Sequence, residues 1–120
     1  MEIFDITAIR AKLQPQMNHA SESLCDFNDS SIGLGHYDGC SGWRRNPNGD
    51  EILLATDHEI LVEQIEGDEI VSEMLAAGSL IVIPKGVWNR LTAEGFMTLL
   101  WVSPSADGAE HQEDDPRSSA

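Results

Sequence analysis

Positive charge is scarce in this chain. Seven lysines and arginines face 21 aspartates and glutamates, and the net charge is −14. Such a surface repels phosphate backbones and anionic membranes, so neither nucleic acid nor a membrane is expected as a partner. Cysteine is also scarce. Cys25 and Cys40 stand apart in the sequence without the CxxC spacing of a metal or redox site. They read as free thiols, small residues of the core. Long apolar runs are missing: Leu80–Ile83 is four residues long, far short of the roughly 20 that a membrane span needs. The N-terminus lacks the basic-then-apolar pattern of a signal peptide. A soluble cytoplasmic protein is the expectation.

What is present suits one small domain. A chain of 120 residues, 41% hydrophobic, can bury roughly two-thirds of its unfolded surface without staples. Asp5 is placed to cap a short helix over Ile6–Leu13, with Ile6, Ile9 and Leu13 on one stripe and Pro15 as the stop. From about Ser21 the pattern changes to short apolar runs separated by turn residues every 8–12 positions or so, the rhythm of an all-β sandwich or barrel. The runs predict strands over Leu24–Phe27, Ile32–Tyr37, Cys40–Arg45, Glu51–Ala55, Glu59–Ile65, Glu69–Leu75, Ser79–Ile83, Trp88–Thr92 and Phe96–Val102. Leu80–Ile83 has no polar alternation and reads as a central strand buried on both faces. Three segments follow: an N-terminal helical stretch over 1–20, a barrel over 21–103, and an acidic, mobile tail over 104–120.

Two stretches carry a more specific signal. Gly78, Pro84 and Gly86 frame an apolar strand and a tight turn, followed by Asn89. Gly39 opens an earlier stretch that runs through Trp43, Arg44, Arg45, Asn46 and the predicted hairpin turn Asn48–Gly49 to Asp50 and Glu51. From about Leu24 to Val102 the chain resembles the small single-domain cupins on these residues. In that family the first motif carries two histidines ahead of a glutamate, and the second a histidine behind the glycine–proline–glycine frame. Here Glu51 keeps the glutamate position, while Asn89 falls on the later histidine and Ala93 on a closing asparagine. Depending on the spacer, Arg44 and Asn46, or Arg45 and Pro47, fall on the first two; His58 falls on a closing glycine.

The resemblance implies an all-β cupin barrel, a double-stranded β-helix or jelly roll, with a short N-terminal helix. It also implies a homodimer, which the apolar run Phe96–Val102 supports, since its outer face would otherwise invite aggregation.

The chemistry departs from the family. Amide oxygens are poor ligands for zinc, iron or nickel, and a guanidinium has no lone pair to give. No metal and no other cofactor is therefore expected, a weakly bound divalent ion being the alternative. If a metal is held, Glu51 and His36 are the donors; His19, His58 and His111 read as ordinary histidines. A carboxylate inside the barrel needs a partner, which Arg44, Arg45 or Asn89 could supply. If Asn89 points inward, so do Leu91 and Ala93, while Trp88, Arg90 and Thr92 point out. Arg44, Arg45, Asn46, Glu51 and Asn89 are thus the expected pocket residues, with an arginine at the mouth favouring an anionic group. The leading reading is a small-molecule-binding barrel without a metal and without turnover. One alternative is a metal-dependent isomerase, dioxygenase or lyase using His36 and Glu51. Another is a structural or regulatory dimer with a vestigial cavity.

Overall fold

The computed structural model describes residues 1–15 and 20–119 of the chain; His19 lies outside the described residues. Helix α1 spans Ile6–Leu13, as its capping pattern predicts. The Asp5 carboxylate accepts from the Ala8 N–H at 3.0 Å. A cap of this kind stabilises a helix by about 1 kcal/mol. The stripe of Ile6, Ile9 and Leu13 packs on Ala20, Leu34 and Leu100.

The described residues also form nine strands: β1 (Ala20–Phe27), β2 (Ser30–Cys40), β3 (Trp43–Arg45), β4 (Glu51–Ala55), β5 (Ile60–Glu66), β6 (Glu69–Leu75), β7 (Leu80–Ile83), β8 (Asn89–Pro104) and β9 (Glu110–Gln112). The ladders between them are antiparallel. Strand β8 organises the barrel. Its first part, Asn89–Thr92, pairs with β5, and Asn89 also faces Arg44 of β3. Its second part pairs with β2 on one edge and β4 on the other. Inside lie Leu53, Ala55, Ile60, Val62, Leu75, Ile83, Leu91, Met97 and Leu99. Leu53 and Ala55, like Leu91, Met97 and Leu99, sit at alternate positions, as strands with one face turned inward require.

Several expectations are corrected. Trp88–Thr92 and Phe96–Val102 are not separate strands. Gly95 takes a φ of 72° and the register against β2 shifts between Asp38 and Cys40, so Glu94–Gly95 makes an irregularity within β8, not a turn. Conversely, Cys40–Arg45 is interrupted before Trp43, with Gly42 at φ 68°. Gly78 and Gly86 do take left-handed conformations, φ 83° and 73°, at the two ends of β7. Asn48 and Gly49 do not; among the described residues the non-glycine residue with positive φ is Asn28, at 54°, in the β1–β2 turn.

Strand β7 is not central. It pairs with β4 alone, and Leu80 and Val82 are 54% and 49% exposed, while Ile83 of the alternate face is buried. On the outer face of β8, Leu100 packs against the chain's own α1. The acidic segment beyond Pro104, expected to be mobile, carries β9 and a short 3-10 helix over Pro116–Ser119. Among the described residues, no helix is long and apolar enough to cross a membrane.

Candidate functional site

Strand β3 decides which arginine enters the barrel. Arg44 pairs with Asn89 on β8 and with His111 on β9, so its side chain takes the inner face. Trp43 and Arg45 take the outer one. There, two cation–aromatic pairs cross between β3 and the start of β8. The Arg45 guanidinium lies 4.5 Å over the ring of Trp88, and that of Arg90 lies 4.7 Å over Trp43. Each arginine is also held by a carboxylate, Arg45 by Glu110 at 2.8 Å and Arg90 by Glu63 at 2.9 Å. The hydrogen bond that Arg90 Nε donates to Glu63 raises the pKa of Arg90 above its usual value. Trp88 and Arg90 therefore face outward, as alternation predicts.

On the inner face Arg44 meets Glu51, the first residue of β4. The carboxylate is 3% exposed. Its Oε2 accepts from Arg44 Nη2 at 2.5 Å and from Ser103 Oγ at 2.7 Å. Its Oε1 is buried with no hydrogen-bond partner among the described residues. An acceptor left in that state costs about 1–3 kcal/mol of stability. The partner of Glu51 is thus Arg44, helped by Ser103, and not Asn89.

The cluster stands at one side of a cavity of about 530 Å³. Leu53, Leu91, Met97, Leu99 and Trp101 give it apolar walls, and Tyr37, Arg44, Glu51, Ser103 and His111 add polar groups. The volume lies within the range of small-molecule sites, roughly 300–1,000 Å³. Arg45 and Asn46 also border it. Both have other duties: Arg45 is engaged by Glu110, and Asn46 braces the loop after β8. Asn46 Nδ2 donates to Ser105 O at 3.2 Å, and its Oδ1 accepts from the Asn48 N–H at 2.9 Å. Asn48 Nδ2 reaches the same Ser105 carbonyl at 2.8 Å. With both arginines matched by carboxylates, the expected bias toward an anionic ligand loses its support.

Asn89 does not line the cavity. It is fully buried beneath the wall, where its Nδ2 donates to Arg44 O at 3.0 Å and to Val87 O at 3.1 Å. Asn46 and Asn89 therefore tie backbone segments together. His36 is on the opposite face of the sheet from Glu51. It shares the outer face of β2 with Leu34, bonds Thr98 Oγ1 at 3.0 Å and stacks on Phe96 at 4.8 Å. His36 and Glu51 cannot hold one ion between them. His58 is exposed on a separate open groove with Asp57, Glu59 and Glu94.

Sequence reasoning missed Tyr37, Ser103 and His111 as cavity residues. Alternation along β8 carried part of the signal, since Leu99, Trp101 and Ser103 share a face. His111 could not be found that way, because its place depends on β9 pairing with β3.

Comparison with known proteins places the fold. No family model matches the chain. The uncharacterized protein YdbB of Bacillus subtilis is 29% identical over 72 residues, 60% of this chain and 61% of that protein. The chain thus spans less than two-thirds of this curated relative. The crystal structure of protein NMB1881 from Neisseria meningitidis superposes with a TM-score of 0.72 at 21% identity, covering 87% of this chain and 100% of the other. A cupin-2 domain protein from Shewanella frigidimarina gives 0.69 at 18% identity, covering 86% and 95%. The fold is that of a small cupin barrel.

Proposed function

We propose that this barrel binds a small organic molecule in its inner cavity and does so without a metal ion. The observation that carries the reading is the Arg44–Glu51–Ser103 cluster beside an otherwise apolar cavity of about 530 Å³. A few fixed polar groups in a largely apolar concavity are what orient a small ligand.

The donor chemistry supports the metal-free part. Where a cupin metal would be held, this chain offers the amides of Asn46 and Asn89, the guanidinium of Arg44 and the carboxylate of Glu51. The amides are engaged with backbone groups, and the guanidinium brings a positive charge to within 2.5 Å of the Glu51 carboxylate. Such a set does not fit zinc, iron, manganese or nickel. Among the described residues no group of three or more His, Cys, Asp or Glu side chains is placed to share an ion.

The test combines two measurements on the full chain. Elemental analysis of protein prepared without chelator is expected to find no stoichiometric transition metal. Small neutral organic molecules are expected to raise the melting temperature, and Leu99→Trp, which fills the cavity, to abolish that rise. A stoichiometric metal lost on Glu51→Ala would overturn the reading, as would a rise that survives Leu99→Trp.

A further inference from the structure

The cavity is layered, and the register of three strands sets the layers. Along β8, Leu99, Trp101 and Ser103 are alternate residues that line it. Trp101 is paired with Leu53 of β4 on one edge and with Gly33 of β2 on the other. In the next layer Ser103 is paired with Ser31 of β2 and donates to Glu51 of β4. In the layer on the other side of Trp101 stands Leu99, and Met97 follows it. The cavity thus has a polar band of Glu51, Ser103, Ser31 and Arg44 at one end and apolar layers beyond it. Neighbouring layers are two residues apart, roughly 7 Å along a strand, so about 13 Å separates Ser103 from Leu99.

Within the polar band one acceptor is unmet. Glu51 Oε2 takes hydrogen bonds from Arg44 and Ser103, while Oε1 of the same buried carboxylate has none among the described residues. Ser23, Ser41, Ser105 and His111 also border the cavity, but they are exposed and water serves them. Glu51 is sealed from bulk water, so its second oxygen is the group that an occupant is left to satisfy. Its charge is already balanced. The Arg44 guanidinium lies 2.5 Å from Oε2, and the pair is neutral as a whole.

Resting on the binding role argued above, we propose that the ligand is a short-chain alcohol. Its hydroxyl donates to Glu51 Oε1, and its hydrocarbon chain lies along Leu53, Leu99 and Met97. These side chains offer nothing to hydrogen-bond, so the part of the ligand beside them is apolar. A charged, buried acceptor lacking a donor selects a hydroxyl over an ether. An ammonium head would meet the Arg44 charge and a carboxylate that of Glu51, and either upsets a pair that is neutral as it stands. A primary amide brings two N–H donors where one acceptor lacks a partner.

The experiment titrates hexanol, its isomer methoxypentane, butanol, hexylammonium and hexanoate into the full chain, followed by calorimetry or ligand-observed NMR. Hexanol is expected to bind about tenfold more tightly than methoxypentane, which has the same atoms without the donor, the value of one hydrogen bond to a charged acceptor. Butanol, shorter by two methylenes, is expected to bind about tenfold more weakly than hexanol. Both charged probes are expected to bind more weakly than hexanol. Glu51→Gln is expected to weaken hexanol several-fold and to leave methoxypentane unchanged. If that variant does not fold because Arg44 is stranded, the double variant Arg44→Gln with Glu51→Gln replaces it, with the same expectation. Methoxypentane binding as well as hexanol, or hexanol unmoved by the substitution, would overturn the hydroxyl. Tighter binding of either charged probe would overturn the neutral head, and butanol matching hexanol would overturn the chain. If none of these binds while a compact probe such as camphor does, and Leu99→Trp removes it, the ligand class is wrong and the binding barrel stands. If no probe of either kind binds, both fall.

Discussion

The two faces of β8 are used in opposite ways. Inward, Leu91, Met97, Leu99 and Trp101 border a cavity of about 530 Å³. Outward, the chain covers its own strand: Trp43 and Glu63 hold Arg90, His36 bonds Thr98, and α1 lies on Leu100. A strand with both faces apolar usually signals a closed core on either side. Here the outer face contributes packing and ion pairing, while Leu91, Met97 and Leu99 of the inner face belong to the main core and border the cavity as well. The two faces can be probed separately.

The sharpest probe uses neighbours on one strand. Arg44 and Arg45 carry the same charge to opposite faces. Arg44→Ala strands a carboxylate that is 3% exposed and is expected to cost about 3–5 kcal/mol by urea denaturation. Arg45→Ala removes a pair whose side chains are 34% and 49% exposed, together with the contact to Trp88. About 1 kcal/mol is expected there. Equal losses would mean that Glu51 is not sealed from solvent, and the contrast between faces would collapse.

A second probe tests the outer cover. Leu13 ends α1 at 3% exposure against Leu34, in the group that includes Leu100. Leu13→Ala is expected to cost about 2–5 kcal/mol, as burial of a leucine in a packed cluster implies. A change within the error of the measurement would show that α1 lies on the sheet without stabilising it.

The inner face should behave differently when enlarged. Leu53 is buried yet borders the cavity. Leu53→Phe is expected to fall within about 1 kcal/mol of the parent, because the added ring has space to enter, whereas overpacking a filled core costs roughly 1–3 kcal/mol. A melting curve showing the larger loss would mean that the cavity is closed to a ring.

These contrasts also show where the sequence was readable. Local rules were enough for α1, β4 and β6, whose bounds follow from a cap, a helical stripe and turn residues. The glycines around β7 were legible for the same reason, since positive φ is a property of one residue. Pairing was not legible. Leu80–Ile83 looks central because four apolar residues in a row suit two buried faces, yet the strand has a neighbour on one edge only. The choice between Arg44 and Arg45 turned on register, and a shift of one residue exchanges the faces. The crowding at Gly33 and Gly35 was hidden for a related reason, since it depends on Trp101 and Tyr37 being placed against them.

The smallest expected effect concerns the closure made by the C-terminal segment. Strand β9 adds to β3 beside Arg44, and beyond it Arg117 reaches back to the β5–β6 turn, donating to Asp68 O at 2.8 Å. The side chain of Arg117 also bonds Asp115, and its backbone N–H does the same at 2.9 Å. These hydrogen bonds pull the pKa of Asp115 below the usual carboxylate value, and Asp115 in turn raises that of Arg117. The sign follows from linkage. A carboxyl with a lowered folded pKa contributes stability above its unfolded value of about 3.9, and that contribution is lost as pH falls through the lowered folded pKa. Arg117→Gln should therefore move the Asp115 titration, followed by NMR, up toward the ordinary carboxylate range. It should also loosen the contact with the Asp68 turn, while the environment of Trp101 inside the barrel stays as it was. An Asp115 titration unmoved by the substitution would break the link between this pair and the closure. A change at Trp101 would show that the outer strap and the cavity wall are one mechanical unit, not two.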